Sequence, residues 1–147
     1  MKKVKIFTDG ACRNNPGPGG WAAILRWNNM EKKISGFAPH TTNNRMELLA
    51  LINALKLLEN PCEIDVFSDS KYVVDSISEK RVFMWKKNNW KRKNKDIPNS
   101  DLWSILINLL SPHKVRLSWE KGHAGNPENE ECDYMATNQI KRCARSI

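Results

Sequence analysis

The order of strand-like and helix-like segments is the feature of this chain that most restricts its fold. Three strand-like segments come first, over 3–8, 21–27 and 30–37, the last two joined by a tight turn at 28–29. A helical segment over 42–60, stopped by a proline, precedes a fourth strand over 62–69. Helical segments over 70–78, in the basic stretch from residue 80 and over 99–111 lead to a fifth strand over 114–120 and a last helix from 127. The order β-β-β-α-β-α-α-α-β-α predicts an α/β fold whose mixed sheet has three antiparallel strands, then parallel strands, with helices on its faces.

Length and composition predict one domain over 1–147. The chain has 147 residues, of which 40% are apolar and 27% charged, which is typical of a packed globular domain. Uninterrupted apolar runs reach only five residues, so we expect no membrane association through a spanning helix. Because the first ten residues alternate and reach a charged Asp9, we expect no secretory signal peptide. The four cysteines have no C-x-x-C spacing, which favours reduced thiols over a zinc site or disulfides: Cys12, Cys62, Cys132 and Cys143. Reduced thiols are typical of a cytoplasmic protein.

The excess of positive charge lies in one segment. The net charge is +8, and residues 80–95 hold eight basic residues and no acidic one, so the remaining chain carries 16 residues of each sign. A charge excess confined to one segment indicates a patch that binds a polyanion.

Four acidic residues suggest a metal site. Asp9 and Asp69 each follow a predicted strand, and ligands bind at such strand ends in α/β sheets. Glu47 and Asp133 fall in the first turns of predicted helices. If the four acids converge, cations must neutralise them, and an oxygen-only ligand set suits Mg²⁺ or Mn²⁺. Taken singly, Asp9 before a glycine is also a common turn residue, and Glu47 in a first helical turn is a common dipole partner.

Four sequence strings around these acids occur in a characteristic order. They are TDGACRNNPGPGG from residue 8, TTNNRMEL from 41, SDS from 68 and KGHAGNPENEECDYMA from 121. Together they resemble the bacterial type 1 ribonuclease H family, from about residue 4 to 140. The resemblance implies a ribonuclease H-like fold with five strands. It also implies endonucleolytic hydrolysis of the RNA strand of RNA–DNA hybrids, with two Mg²⁺ ions (Mn²⁺ substituting) and with 5′-phosphate and 3′-hydroxyl products.

The resemblance also assigns the catalytic residues. The family's metal-binding acids fall on Asp9, Glu47, Asp69 and Asp133, and its loop histidine falls on His123. His123 has glycines close on both sides in the sequence, which permits a mobile loop, and an imidazole there can transfer a proton to or from water or the leaving oxygen. The alternative is an ordinary surface histidine.

The RNA strand of a hybrid is recognised by its 2′-hydroxyls, which suit amide side chains and close backbone approach. The resemblance places Cys12, Asn14, Asn15, Asn43 and Asn44 on this strand. Asn43 and Asn44 could instead be helix-capping residues, and Gly17, Gly19 and Gly20 could serve either close approach to the strand or only a tight turn. Position 14 departs from the family, where glycine is usual, but Asn tolerates positive φ best among the other residues, so the loop shape is expected to persist.

The DNA strand is expected to meet the basic segment. The resemblance assigns it to Thr42, Tyr72, Trp85, Lys86, Lys87, Trp90, Lys91 and Asn99. The two tryptophans could instead only pack the segment onto the domain. Thr42 and Asn99 match a family pocket for a DNA phosphate, which His40 weakens because a longer basic residue is usual there. One extra residue and a missing tryptophan at 81–83 alter the contacts just ahead of the segment.

Other functions fit the sequence less well. Transposases and integrases share the acidic core, but the hybrid-reading strings and the short chain disfavour them. A non-catalytic hybrid-binding module would lack one of the acids, and a basic structural protein would not need acids at strand ends. We expect a monomer. The physiological hybrid, the ribonucleotide tract it requires and the preferred cleavage position stay open.

Overall fold

A five-stranded sheet forms the centre of the molecule. The structure is a computed structural model, which describes residues 1–120 and 126–144. The strands are β1 (Lys2–Cys12), β2 (Gly17–Trp27), β3 (Met30–Thr41), β4 (Cys62–Ser68), β5 (Lys91–Arg92), β6 (Lys95–Asp96) and β7 (Lys114–Trp119). The helices are α1 (Asn43–Leu55), α2 (Lys71–Ser78), α3 (Arg81–Lys87), α4 (Ser100–Leu110) and α5 (Pro127–Cys143). The central sheet has the order β3-β2-β1-β4-β7, and β5 and β6 form a separate hairpin.

The sheet is mixed, as the segment order predicts. β2 pairs antiparallel with both β1 and β3, whereas β4 pairs in parallel with β1 and with β7. Parallel pairing requires crossover connections, which the helices between β3 and β4 and between β4 and β7 provide. The predicted fold class is therefore confirmed.

The first two strands are longer than predicted, and Asp9 does not end β1. Beyond Asp9, Gly10–Cys12 continue the antiparallel pairing with Gly19–Trp21 of β2. The Gly/Pro-rich connection is therefore a loop over 13–16 only, because backbone hydrogen bonds to β2 extend both strands into it. Asn14 adopts φ 62° in this loop, the conformation that the substitution for glycine requires.

Helices cover the two faces of the sheet. α1 packs on β1 and β2 from one side and also contacts α4, whereas α5 packs on β1, β2 and β3 from the other side. The larger core cluster joins β1 and β4 to α1 and α4 through residues such as Ile6, Leu51 and Trp103, all at most 1% exposed. No helix in the described ranges is long and apolar enough to cross a membrane.

Local signals mark the helix starts well, but they do not predict the small hairpin. Thr42 and Asn126 cap α1 and α5 through their side chains, and Pro127 is the first residue of α5. α1 ends at Leu55, five residues earlier than predicted. The β5–β6 hairpin turns at Lys93 and Asn94, both with positive φ, in the part of the basic segment for which no strand is expected.

Candidate active site

Three carboxylates meet where β1 and β4 part. Thr8 and Ser68 are the last paired residues of these parallel strands, so Asp9 and Asp69 follow the same pair. Together with Glu47 of α1 they offer oxygen atoms that all lie within 4.8 Å of one another. Asp9 thus reaches the predicted position although β1 continues past it, because the edge is set by the end of β4.

Glu47 reaches this position because α1 lies very close to β1. A Cβ atom added at Gly10 would lie 2.5 Å from the backbone nitrogen of Glu47 and 2.7 Å from the carbonyl carbon of Met46. Only glycine allows this approach, since a real Cβ contact is never so short. Gly10 also donates its backbone N–H to Oδ1 of Asp9 at 2.9 Å, so it contacts both acids.

Gly10→Ala is expected to lower kcat by about 10²-fold, because the added methyl group pushes α1 away and displaces Glu47 from Asp9. Steady-state kinetics on a hybrid substrate check this. Gly36→Ala is the matched control, since Gly36 lies on the edge strand β3, separated from β1 by β2, and its Cβ would meet the Trp21 ring. Gly36→Ala should lower the melting temperature but keep kcat. Equal kcat values for the two variants would contradict this role of Gly10.

The end of β7 holds the backbone at Asp69. Trp119 donates its Nε1–H to the carbonyl oxygen of Asp69 at 2.9 Å, and Glu120 donates its backbone N–H to the carbonyl oxygen of Ser68 at 2.8 Å. The hydroxyl oxygen of Ser68 accepts a hydrogen bond from the backbone of Ser70, which caps α2. The Asp69 backbone is therefore restrained from both neighbouring elements. The sequence does not reveal the two contacts from the end of β7, because they join residues 50 or more positions apart.

The cluster favours protons or cations. Burial raises the pKa of Asp9 to about 8, and the charges of Asp69 and Asp133 add to the effect. Burial likewise raises the pKa of Glu47 well above its ordinary value, and the charge of Asp9 is the second cause. Glu47 is 3% exposed, and its Oε2 has no hydrogen-bond partner within the described chain. Positive charge placed among these oxygens would offset both the burial of the carboxylates and the repulsion between them.

Asp133 lies at the margin of this cluster. It is an exposed residue of α5, and it does not belong to the three residues whose oxygens lie within 4.8 Å, but its charge raises the pKa of Asp9. The preceding residue, Cys132, is buried against β1, with its Sγ 3.4 Å from the carbonyl oxygen of Phe7. This contact fixes α5 beside Asp9. His123 lies outside the described residues.

Asn129 is a buried polar residue that sequence reasoning missed. It is 0% exposed, and its amide donates to the carbonyl oxygen of Phe67 at 3.4 Å, so it joins the first turn of α5 to the end of β4. Its position within the string around Asp133 was the available signal.

The residues predicted for the RNA strand gather around the 13–16 loop. Oδ1 of Asn15 accepts the backbone N–H of Asn43 at 3.1 Å, which ties the loop to the start of α1, while Asn44 is exposed beside them. Sγ of Cys12 lies 3.4 Å from the carbonyl oxygen of Thr41. Asn15 and Asn43 therefore support each other.

A Cβ atom added at the neighbouring Gly17 would lie 2.1 Å from the carbonyl oxygen of Arg13, which agrees with the tight-turn interpretation. Gly19 and Gly20 instead serve internal packing, which neither sequence interpretation anticipated. Cβ atoms added at Gly19 and Gly20 would lie 2.4 Å from Cγ2 of Thr41 and 2.1 Å from the carbonyl oxygen of Ala136. Both residues lie within β2 rather than in a turn. Their function is to let the α1 and α5 sides of the fold approach the sheet.

Three residues predicted for the DNA strand form one hydrogen-bonded group. The amide of Asn99 donates to the hydroxyl oxygen of Tyr72 at 3.2 Å, and Thr42 caps α1. Arg45 connects them, since it donates to Oδ1 of Asn99 and forms a bidentate ion pair with Asp101. Hydrogen bonding to Arg45 holds the pKa of Asp101 below its usual value. The ion pair joins residues 56 positions apart and was not predicted.

In the basic segment, the tryptophans pack against the core whereas the lysines are exposed to solvent. Trp85 and Trp90 are half-buried and pack against the main core, and the Trp85 ring meets the Trp103 ring edge-on at 5.9 Å between centroids. Packing of the segment onto the domain therefore accounts for the two rings. Three lysines predicted to bind DNA are exposed: Lys86, Lys87 and Lys91.

Two further departures from the family pattern lie in different elements: residues 81–83 are in α3, and His40 is near the end of β3. Val82 is fully buried whereas Phe83 is 48% exposed, so the apolar contact inward comes from Val82. His40 is exposed near the end of β3.

Comparison with known proteins assigns the chain to a family. The sequence model of the RNase H family matches residues 1–141. The chain belongs to the RNase H family. Among curated relatives, the ribonuclease H of Acetivibrio thermocellus is 54% identical over 143 residues, covering 97% of each chain. The ribonuclease H of Rhizobium etli is 56% identical over 137 residues, covering 92% of this chain and 90% of its own.

Solved structures agree with this assignment. The crystal structure of LC9-RNase H1, a type 1 RNase H with the type 2 active-site motif, superposes with a TM-score of 0.84 at 28% identity, covering 94% of this chain and 72% of the other. LC11-RNase H1, solved in complex with an RNA/DNA hybrid, shares the fold with a TM-score of 0.69 at 20% identity, covering 94% and 96% of the two chains. The resemblance stated from the sequence is confirmed, and the family makes this chain a hydrolase, an endoribonuclease.

Proposed function

We propose that the chain is a single RNase H domain that hydrolyses the RNA strand of RNA–DNA hybrids with two Mg²⁺ ions, leaving 5′-phosphate and 3′-hydroxyl ends. The observation that carries the proposal is the set of Asp9, Glu47 and Asp69 oxygens within 4.8 Å of one another. Family membership supports RNA cleavage in hybrids, and the related LC11-RNase H1 binds such a hybrid.

The side chains suit hard divalent cations. Three carboxylates supply only oxygen donors, burial and then neighbouring negative charge raise the pKa values of Asp9 and Glu47, and Oε2 of Glu47 lacks a hydrogen bond within the described chain. Mg²⁺ prefers such oxygens and keeps open positions for water and phosphate, and Mn²⁺ is expected to substitute. When bound, a pair of these cations supplies charge that activates water and stabilises a leaving oxygen.

The chain's own groups divide the remaining work. Asp9, Glu47, Asp69 and Asp133 hold the cations, and the Gly10 and Trp119 contacts keep these carboxylates in place. His123 is proposed to move a proton to or from the reacting oxygens. Cys12 and the asparagines around the 13–16 loop take the RNA strand, while Thr42, Tyr72, Asn99 and the basic segment take the DNA strand. We further propose that the protein is a monomer. We also propose that it acts in the cytoplasm, which the four free thiols support.

The exposed lysines are expected to supply affinity rather than chemistry. Replacing Lys86, Lys87, Lys91 and Lys93 with Ala should raise KM far more than it lowers kcat. Fewer counterions are then released on binding, so the slope of log K against log salt should flatten by about 0.9 for each phosphate that the variant no longer neutralises. Hybrid binding measured between 50 and 200 mM salt (about the range where such slopes are clear) checks this.

The matched control removes the same charge from another surface. Lys3, Lys5, Lys114 and Arg116 are exposed cations of β1 and β7, and their replacement by Ala should leave the salt slope near the wild-type value. Equal slopes for both fourfold variants would show that the basic segment does not bind phosphate.

The proposed function is tested on a panel of end-labelled duplexes. RNA–DNA, RNA–RNA and DNA–DNA duplexes of one sequence are incubated with the protein, with Mg²⁺ or with a chelator. We expect internal cuts only in the RNA strand of the hybrid and only with Mg²⁺, and the new 5′ ends should accept ligation without prior phosphorylation. Cleavage of the RNA duplex at a similar rate, or cleavage in chelator, would reject the proposal.

A further inference from the structure

The side chain of Arg45 joins the starts of two helices. Its two terminal nitrogens donate to the two carboxylate oxygens of Asp101 at 3.0 and 2.8 Å, and Nη1 also donates to Oδ1 of Asn99 at 3.3 Å. The backbone N–H of Arg45 donates to Oγ1 of Thr42 at 3.3 Å. Arg45 therefore contacts Thr42 of one helix start and Asn99 of the other.

Arg45 fixes the orientation of the Asn99 amide. A guanidinium group can only donate hydrogen bonds, so the Asn99 atom that faces it must be the oxygen. The amide nitrogen then faces the hydroxyl oxygen of Tyr72, 3.2 Å away. Asn99 precedes α4 with φ 64° and makes no capping hydrogen bond through its side chain, so Arg45 and Tyr72 are the contacts that orient it.

The Tyr72 hydroxyl is in turn restricted to donating outward. Its oxygen accepts hydrogen bonds from Asn99 and from Nε1 of Trp103, the latter at 2.8 Å. An indole N–H can only donate, so both lone pairs of the hydroxyl are used and its own hydrogen points to neither neighbour. Thr42 is similar, because its hydroxyl accepts from Arg45 and keeps a hydrogen to donate.

We propose that the Arg45 side chain is a positioning group that makes Asn99 and, through it, Tyr72 present hydrogen-bond donors, beside the Thr42 hydroxyl, to one backbone phosphate of the DNA strand. The inference rests on the proposed function, which assigns those three residues to that strand. A phosphodiester offers only acceptors, so a set of donors selects it. Tyr72 also lines a cavity of about 490 Å³ together with Arg92, Lys93 and Lys95, so cations of the basic segment lie close to it.

Loss of Arg45 should reverse this arrangement. Without the guanidinium, the Asn99 amide can rotate by about 180°, so that its oxygen accepts the hydrogen of the Tyr72 hydroxyl. The Tyr72 oxygen then faces the phosphate with a lone pair instead of a hydrogen. Arg45→Met is therefore expected to raise KM by about fivefold to tenfold, the usual effect of removing one or two hydrogen bonds, while kcat changes by less than about twofold.

The test uses hybrids that carry one uncharged methylphosphonate at successive positions of the DNA strand. Wild type should bind much more weakly when one particular position is modified, and Arg45→Met should respond little at that position because it no longer holds that phosphate. Arg45→Lys keeps one donor for Asn99 and should recover part of the sensitivity. Asp101→Asn keeps one acceptor oxygen for Arg45, so its KM and its position scan should stay closer to those of wild type than those of Arg45→Met do.

The outcomes separate this inference from the proposed function. A scan of Arg45→Met identical to that of wild type, or a loss of kcat with KM unchanged, would overturn the role of Arg45 alone. If wild type fails to cut the unmodified hybrid, both the proposed function and the inference fall. Melting temperatures identify an unfolded Arg45→Met, in which case the partial effect of Arg45→Lys at the same phosphate decides.

Discussion

Replacing Asp9 or Asp69 by Asn is expected to remove nearly all cleavage while the hybrid stays bound. The two side chains follow the last paired residues of β1 and β4, and their oxygens lie in one cluster with Glu47. Neutralising either acid should displace the cations, which supply several kcal/mol of stabilisation to the charged transition state. We therefore expect kcat to fall by at least about 10³-fold. Single-turnover cleavage and hybrid binding are measured on the same protein.

Asp65→Asn is the control for this experiment. Asp65 lies on the same strand, β4, but 3.8 Å from Arg116 of the neighbouring strand and outside the acidic cluster. Its replacement should leave both kcat and binding near wild type. A near wild-type kcat for either Asp9→Asn or Asp69→Asn, with the same Mg²⁺ dependence, would refute the assignment of the cluster as the catalytic centre.

The same acids are expected to destabilise the metal-free fold at neutral pH. Asp9 has its pKa raised from 3.8 to about 8 by burial and by neighbouring acids, so the folded chain keeps a proton that the unfolded chain releases near pH 4. The stabilisation from protonated Asp9 is therefore complete below about pH 4, declines as the pH rises and is lost above about pH 8. Since one pKa unit corresponds to about 1.4 kcal/mol and pH 7 lies about three units above the unfolded pKa, the loss by pH 7 should be about 4 kcal/mol.

Urea unfolding in chelator at pH 4, 5.5, 7 and 8 measures this dependence. The free energy of unfolding of Asp9→Asn should exceed that of wild type increasingly as the pH rises, because Asn has no proton to lose. Added Mg²⁺ should stabilise wild type more at pH 8 than at pH 5.5, since the cation replaces the proton, and should have little effect on Asp9→Asn. A difference between the two proteins that does not change with pH would exclude this linkage.

The sequence predicts the parts of this structure that depend on local patterns. Alternation and helical spacing indicate the main strands and helices, and Thr42 and Asn126 mark helix starts because a capping side chain acts within three residues of itself. The acids Asp9, Glu47 and Asp69 meet as expected, since the ends of neighbouring parallel strands share one edge of the sheet.

Other features depend on contacts between distant residues. The extension of β1 past Asp9 comes from pairing with β2, and the need for Gly19 and Gly20 comes from helices packed across the sheet. The Arg45–Asp101 pair leaves no mark in either local sequence. In the basic segment, alternating aromatic and cationic residues do not reveal that Trp85 faces the core while its lysine neighbours face solvent.

The count of cations held by the acidic cluster tests the central claim most directly. Mn²⁺ is titrated into wild type and into Asp9→Asn, each bound to a hybrid made uncleavable by 2′-deoxy substitution at the cut site, and free Mn²⁺ is followed by electron paramagnetic resonance. Ions on the nucleic acid cancel between the two samples. We predict that wild type binds two ions more than Asp9→Asn at saturation, and equal numbers in the two proteins would contradict a metal centre at these carboxylates.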